Sequence, residues 1–524
     1  MNFVNNRFSL YVSGLLVSLL FAICLLSGCE IIDGGGNDNN EYPVVLLHGF
    51  LGWGRDEMGG RNGYFHMGGY HDMQELIKAS GSDCYTAVVG PFSSNWDRTC
   101  ELYAQLKGLR TDYGIIHSIK HNHKRYGKDW RGNALLEKWG EPGKNKKIHI
   151  ITHSYGAQTS RTLAQLLATG HTVVEDKDNY ENNKTFYDKY NSDPNVDPEK
   201  KGPISRLFDG TEKKDMIQSI TTVSGTNNGT TLPNNWRRNG IISILEVVVT
   251  LFGTIEHELY VNFYDFKVQH FGIFSDRLPD ENTMEYTERM KILINGFITK
   301  GRDNVAWDIS PEGAREVNRW VHAQPNIFYF SYATSVTRGL PLPDPLNNWE
   351  RNHWPDSNAN IIAQYEDAIM MGSYTCNDNR YWLSPSNAKG TYMGMTISER
   401  PRIDSKWWEN DGTVNTISMK YPWLYPNNYT GPRDNFKEWN MNTEAMKIGA
   451  QKGKWNYWGV YSNVDHWDSQ GLEILKNIDT NNYNNALFTG PSLNNLPGID
   501  SDNWSNPEAW YVDWTRYLKT LNDK

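Results

Sequence analysis

The stretch Lys147-Ile-His-Ile-Ile-Thr-His-Ser-Tyr-Gly156 does more than any other to limit what this chain can fold into. Ile148 to Ile151 is an apolar run of strand length, and Ala157 to Ala168 is a helix-compatible run that Gly170 can end. Ser154 therefore sits where a buried strand turns into a helix. The pattern is G-x-S-x-G with Thr152 in place of the first glycine. So tight a turn pushes the hydroxyl out at the edge of a sheet, where a base can reach it. The helix it starts presents a positive dipole end to developing negative charge. A serine in an ordinary strand-to-helix turn has the same local pattern, so the rest of the chain must decide.

Upstream, Tyr42-Pro-Val-Val-Leu-Leu-His-Gly-Phe50 is a short apolar strand ending in His-Gly-Phe, followed by Gly52 and Gly54. Such an element supplies a second oxyanion-hole amide, so the N–H groups of Phe50 and of Tyr155 are the candidate pair. Downstream, Glu409-Asn-Asp-Gly-Thr-Val-Asn-Thr416 puts Asp411 in a turn before a β-branched stretch. Asn463-Val-Asp-His466 then brings the last histidine of the chain. The order nucleophile, acid, histidine is the one used by strand-turn-helix serine enzymes, which makes Ser154, Asp411 and His466 the candidate triad. His466 is the only histidine after Asp411, although a solvent-exposed loop histidine would also fit there.

Composition narrows the partners. The chain has 524 residues, is 38% hydrophobic and carries 20 tryptophans, enough for a large core. A net charge of −9 argues against nucleic acid, because phosphate binding needs a basic face. At the amino terminus, Arg7 precedes the apolar run Leu15 to Leu26, which is short for a bilayer span and placed like a secretory signal. Leu26-Ser-Gly-Cys29 resembles a bacterial lipoprotein processing site, although an incidental cysteine beside an ordinary cleavage site reads similarly. Residues 1–28 are thus expected to be a lipoprotein signal peptide, Cys29 the lipidated residue, and 29–41 a flexible tether. The chain is then expected in the bacterial cell envelope, anchored by lipid and facing outside the cytoplasm. Cys84, Cys100 and Cys376 remain, an odd set with no disulfide framework, best read as buried apolar groups.

Strand candidates Val44–Leu47, Tyr85–Val89, Ile148–Ile151, Ser219–Val223 and Ile327–Tyr332 alternate with longer segments, which predicts an α/β fold with a mostly parallel central sheet and helices on both faces. Residues 42–524 show no linker and are expected to form a single catalytic domain. Residues 173–203 and 421–437 are polar insertions, the first expected to be an exposed loop. Ile241 to Phe252 is the most apolar stretch after the signal. It suits either a buried core helix or a lid, spanning about 233–262, whose apolar face opens onto lipid.

Together these blocks resemble the staphylococcal and thermoalkalophilic bacillar lipases. The resemblance covers most of residues 42 to 475. It rests on Val44-Val-Leu-Leu-His-Gly-Phe-Leu-Gly-Trp-Gly-Arg55, Gly90-Pro-Phe-Ser-Ser-Asn-Trp-Asp97, Asn410-Asp-Gly412 with Val414-Asn-Thr416, and Val464-Asp-His466. It implies an α/β-hydrolase fold with a zinc-bearing insertion and a helical lid. It also implies a structural Zn2+ held by Asp97, His117, His123 and Asp303, with His121 a neighbour rather than a ligand. A Ca2+ site near His466 would use Asp468, Glu473 and the carbonyls of Ile474 and Asn358, but the side-chain lengths at 468 and 473 depart from the family pattern. Tyr155 replaces a family glutamine, which would set a large aromatic side chain above the site, and the two polar insertions could roof an acyl groove.

The activity implied is that of a lipid-anchored carboxylic ester hydrolase, with triacylglycerol at an interface as the leading substrate and no protein partner. A polyester or short-chain esterase is the alternative, and a non-catalytic lipid-binding surface lipoprotein is a third reading from a different class.

Overall fold

A computed structural model describes residues 42–171, 181–235, 264–339, 405–423, 448–471 and 507–522 apart from short breaks. A few residues between 353 and 440 and at 487–488 are also described. Residues 1–41, including Cys29, lie outside the described residues, as do 236–263 of the expected lid, residues 424–437, Cys376, and the candidate calcium residues Asn358, Glu473 and Ile474.

The sheet strands in chain order are β1 (Val44–Leu47), β2 (Cys84–Ala87), β3 (Ile148–His153), β4 (Ile217–Val223), β5 (Phe328–Ser335), β6 (Glu438–Asn440), β7 (Trp455–Ser462) and β8 (Leu487–Phe488). Their spatial order is β6-β7-β5-β4-β3-β1-β2, with every neighbouring pair parallel, and β8 pairs antiparallel with β7. The expected α/β class with a mostly parallel sheet is the one observed. β1, β3, β4 and β5 are buried along their whole length. That follows from helices covering both faces, and it explains why most residues of these strands are apolar, aromatic or small.

Among the described residues, the helices that bear on the core and the site are α1 (Met73–Ala79), α2 (Asn95–Lys107), α3 (Ile115–Lys120), α4 (Gly156–Thr169), α5 (Lys184–Ser192), α6 (Thr283–Lys300), α7 (Val305–Asp308), α8 (Pro311–Trp320) and α9 (Pro507–Lys519). On one face, Leu102 and Leu106 of α2 and Leu163, Leu166 and Leu167 of α4 pack with Val45, Ile148, Ile150 and Ile220. On the other, Trp510, Trp514 and Tyr517 of α9 pack with Phe330, Tyr332 and Trp458. The Trp514 ring lies 5.1 Å edge-on from both Phe330 and Tyr332, and its indole N–H donates to Thr221 Oγ1 at 2.8 Å. The polar atom of this large aromatic is satisfied, so its burial is not opposed by a lost hydrogen bond.

Two expectations change here. The exposed loop expected over 173–203 contains a docked helix: α5 packs on α3, with Tyr187 joining Ile115 and Ile116 in a small apolar cluster. Arg125 donates to the carbonyls of Lys200 and Pro203, and Glu181 accepts the His117 N–H at 2.6 Å. The polar composition hid a helix that is amphipathic over only two turns. The strand β7 was also missed, although Trp455 to Ser462 is aromatic and β-branched as strands are.

His149 on β3 is buried, with Nε2–H donating to Asn522 Oδ1 at 2.8 Å and Nδ1 accepting from Ser219 Oγ at 2.7 Å. Burial lowers its pKa to about 4. The unfolded chain takes up this proton near pH 6.5 and the folded chain only near 4, so stability falls as pH drops through that window. For this residue alone the loss is about 3 kcal/mol. His149→Gln is expected to flatten the fall in urea midpoint between pH 6.5 and 4; an unchanged slope would contradict the assignment.

Candidate active site and metal centre

Ser154 follows the last residue of β3 and precedes α4 by one residue, with a left-handed φ of 56°. That conformation is costly for any residue but glycine and persists only where the surroundings enforce it. Here the Ser154 N–H donates to Val223 O at 3.0 Å, and its carbonyl accepts from Thr226 N–H at 3.2 Å. Gly156 makes the turn feasible, because a Cβ there would lie 2.0 Å from Thr152 Oγ1 and 2.9 Å from the His48 carbonyl. Gly49 is equally constrained: a Cβ would lie 2.6 Å from Ser154 Cβ. The loop after β1, which carries the Phe50 amide, is thus pressed directly against the serine.

That loop is held from below. His48 donates from Nδ1 to Gly49 O at 2.8 Å and accepts from Val89 N–H on Nε2 at 3.1 Å, which fixes a neutral tautomer. Burial pushes its pKa well down. The fully buried Arg98 donates to the carbonyls of His48 at 2.5 Å and Gly90 at 2.8 Å, and to Thr159 Oγ1 at 3.0 Å. Its guanidinium is lowered to about 10 by burial, still charged at neutral pH. Tyr155 does not stand above the site. Its ring is fully buried, lies 4.7 Å under the Arg98 guanidinium, and sends its hydroxyl toward Asp308 Oδ2 at 2.9 Å.

Asp411 and His466 meet at the same end of the sheet. His466 Nδ1 lies 2.7 Å from Asp411 Oδ2, and the His466 N–H donates to the Asp411 carbonyl at 3.0 Å. The buried carboxylate also accepts from Thr334 Oγ1 at 2.7 Å, Thr413 N at 3.0 Å and Val414 N at 2.8 Å. His153, next to Ser154 in the chain, has its ring centroid 4.5 Å from that of His466 and donates from Nε2 to the His466 carbonyl at 3.0 Å. The elbow and the histidine loop are therefore fastened together. Ser224 joins the two halves, with Oγ 2.7 Å from Thr334 Oγ1 and 2.9 Å from Ser469 Oγ. Sequence reasoning missed Arg98, His153, Ser224 and Thr334. Only the position of His153 beside the elbow offered a signal.

A second polar cluster lies among α2, α3 and α7. Asp97 falls in the first turn of α2, whose N-cap Ser94 accepts the Asp97 N–H; His117 is on α3, His123 follows it, and Asp303 stands two residues before α7. One ligand atom from each of the four lies within 4.8 Å of the others. His117 Nε2 is 3.2 Å from Asp97 Oδ1 and from Asp303 Oδ1, and His123 Nε2 is 3.3 Å from Asp303 Oδ2. All these atoms are buried without a hydrogen bond. Buried carboxylates and imidazoles left this way fit a cation better than an empty interior. His123 Nδ1–H donates to Lys124 O at 2.7 Å, so the Nε2 facing the cluster is the lone-pair nitrogen a metal needs. His121 stands beside His117, ring centroids 4.5 Å apart, outside this group of four. His270, not expected from sequence, lies 2.9 Å from Asp97 Oδ2 through Nε2 and would orient that carboxylate.

Of the candidate calcium residues only Asp468 is described; it starts a single 3-10 turn, its N–H donating to Asp465 Oδ1 at 2.8 Å.

The family model described as "Lipase-like, C-terminal domain" matches residues 40–344, more than half of the chain. Lipase 1 of Staphylococcus aureus (strain MRSA252) is 28% identical over 446 residues, covering 85% of this chain and 53% of that protein. The chain thus spans about half the length of the curated relatives it matches. The solved structure of EstA from Clostridium botulinum is 32% identical with a TM-score of 0.64, covering 94% of this chain and 89% of its own. Lipase 1 from Pelosinus fermentans is 32% identical with a TM-score of 0.58, covering 84% and 98%. Staphylococcus hyicus lipase, at 24% identity and a TM-score of 0.63 over 94% and 99%, shares the fold. With an elbow serine, a carboxylate–imidazole pair and this match, the chain belongs to the lipase-like C-terminal domain family.

Proposed function

We propose that the chain is a serine carboxylic ester hydrolase acting on lipid esters, triacylglycerol foremost. The observation that carries this reading is the 2.7 Å Asp411–His466 contact beside a serine held at φ 56°. In this mechanism Ser154 Oγ attacks the ester carbonyl as His466 Nε2 takes its proton. Asp411 holds Nδ1 protonated and stabilises the imidazolium. The Phe50 and Tyr155 amides bind the oxyanion, each such donor typically contributing roughly 3 kcal/mol. His466 protonates the departing alcohol, then activates the water that releases the acyl group.

A fluorophosphonate probe is expected to label one serine per chain, with labelling lost in Ser154→Ala. Folded wild-type protein that resists the probe would reject the enzyme reading in favour of a lipid-binding protein. Faster turnover on triolein emulsion than on short soluble esters or polyester film marks the lipase; the reverse order marks an esterase.

Within the same reading, Asp97, His117, His123 and Asp303 hold a structural Zn2+, a closed two-nitrogen, two-oxygen shell suited to that ion. The bound ion would supply charge neutralisation and a cross-link between α2, α3 and α7, with no part in bond making. Chelation is expected to lower the unfolding temperature by on the order of 10 °C. A purified protein with no metal by elemental analysis, and no response to chelator, would refute the site. The Cys29 lipid anchor and an envelope location outside the cytoplasm complete the proposal; mass spectrometry of the mature amino terminus tests both. The lid at 233–262, the single domain over 42–524 and the Asp468 calcium site remain part of it.

A further inference from the structure

We propose that the Tyr155 side chain couples the metal cluster to the two oxyanion amides, which makes it a positioning residue for the reaction above and rests on that reading. Tyr155 supplies one of the amides through its own backbone. Its ring packs 4.7 Å beneath the Arg98 guanidinium, whose N–H groups hold the carbonyls of His48 and Gly90, and so the loop that bears the other amide.

The hydroxyl reaches the opposite way. It donates to Asp308 Oδ2 at 2.9 Å, with the Ser93 carbonyl 3.2 Å away as a second acceptor. The same Asp308 oxygen accepts the Asn95 N–H at 2.5 Å. Asn95 is two residues from Asp97, and Asp308 ends the short α7 that begins two residues after Asp303. The two segments that bring carboxylates to the cluster are therefore joined twice. They meet at the cluster itself and again at Asp308, where the tyrosine hydroxyl is attached. A buried tie of this kind has few alternative arrangements, because every polar atom in it would lose its partner on moving.

Two consequences follow. Filling the cluster stiffens the seat of Tyr155, and loosening Tyr155 must, by linkage, weaken the hold on the metal. The test uses the full chain loaded with Co2+, whose visible absorption reports tetrahedral binding, together with kinetics on a soluble p-nitrophenyl ester. Tyr155→Phe keeps the ring and removes only the hydroxyl. It is expected to lower kcat about tenfold with KM little changed, and to speed Co2+ release into chelator several-fold. Asp308→Ala should reproduce both effects from the other side of the bond. Asp308→Asn, which keeps an acceptor oxygen, should restore most of each.

Wild-type kcat in Tyr155→Phe, or a fall in kcat without faster Co2+ release, overturns the coupling. Wild-type protein that binds Co2+ normally yet neither turns over ester nor takes the fluorophosphonate overturns the hydrolase reading, and this inference with it. An active wild type with an unaffected Tyr155→Phe variant overturns this inference alone.

Discussion

Ser154→Ala is expected to abolish ester turnover, by about 10^6-fold in kcat, while leaving the unfolding temperature nearly unchanged. The serine makes its backbone hydrogen bonds through Val223 and Thr226, and these survive loss of the hydroxyl. Asp411→Asn should behave differently. Both oxygens of Asp411 face donors: the amides of Thr413 and Val414 on Oδ1, and the hydroxyl of Thr334 with the ring of His466 on Oδ2. Whichever way the amide of asparagine is turned, its NH2 group points at N–H or O–H donors. The imidazole is then forced to another tautomer or orientation, a change that costs about 10^4-fold in comparable sites. Both turnover and unfolding temperature are expected to fall. Steady-state kinetics and thermal melts on the two variants check this; an Asp411→Asn enzyme with wild-type turnover would remove the carboxylate from the mechanism.

Removing residues 507–524 is expected to leave a chain that does not fold. Trp510, Tyr511, Trp514, Tyr517 and Leu518 are all buried on the sheet face that α9 covers. Truncating one buried large aromatic typically costs about 3–5 kcal/mol, against a total stability of about 5–15 kcal/mol. Losing the group also strips cover from Phe330, Tyr332 and Trp458. Trp514→Ala is the graded version, expected to remain folded but to melt earlier by several degrees. Soluble yield and a cooperative melt decide the matter. A truncated chain that melts like the full one would show that the sheet needs no cover on that face.

The strand-to-helix turn at Ser154 and the Asp411–His466 pair were legible because such a turn and pairing force unusual local sequence. Small residues crowd Ser154, an apolar strand precedes it, and His466 stands alone late in the chain. The five expected strands all lie in the observed sheet, each with its ends within three residues of those predicted. What escaped were groups whose role depends on burial. Arg98, Asp308 and His270 look like surface charges in the sequence, and only packing shows that they are enclosed and paired. The α9 helix carried a readable signal, Trp510 and Trp514 one turn apart with Tyr517 and Leu518 beyond. Its position far from every motif gave that signal no context. Within the expected loop 173–203, the helix at 184–192 was misjudged because composition reports polarity, whereas Tyr187 with Phe186 and Tyr190 beside it suffices to dock a short helix on α3.

The seat of Asp411 has an implication for how such proteins diversify. The chain leaves β5 at Val336 and Thr337 and comes back at Asn410, where Val336 N–H meets the Asn410 carbonyl at 2.9 Å and the Asn410 N–H meets Thr337 Oγ1 at 3.0 Å. Departure and return are stapled side by side, so flexible residues added to the excursion between them cost only a slowly growing closure term. Doubling that excursion would cost about 0.6 kcal/mol. Insertions or deletions between Thr337 and Asn410 can therefore accumulate among relatives while the acid keeps its address.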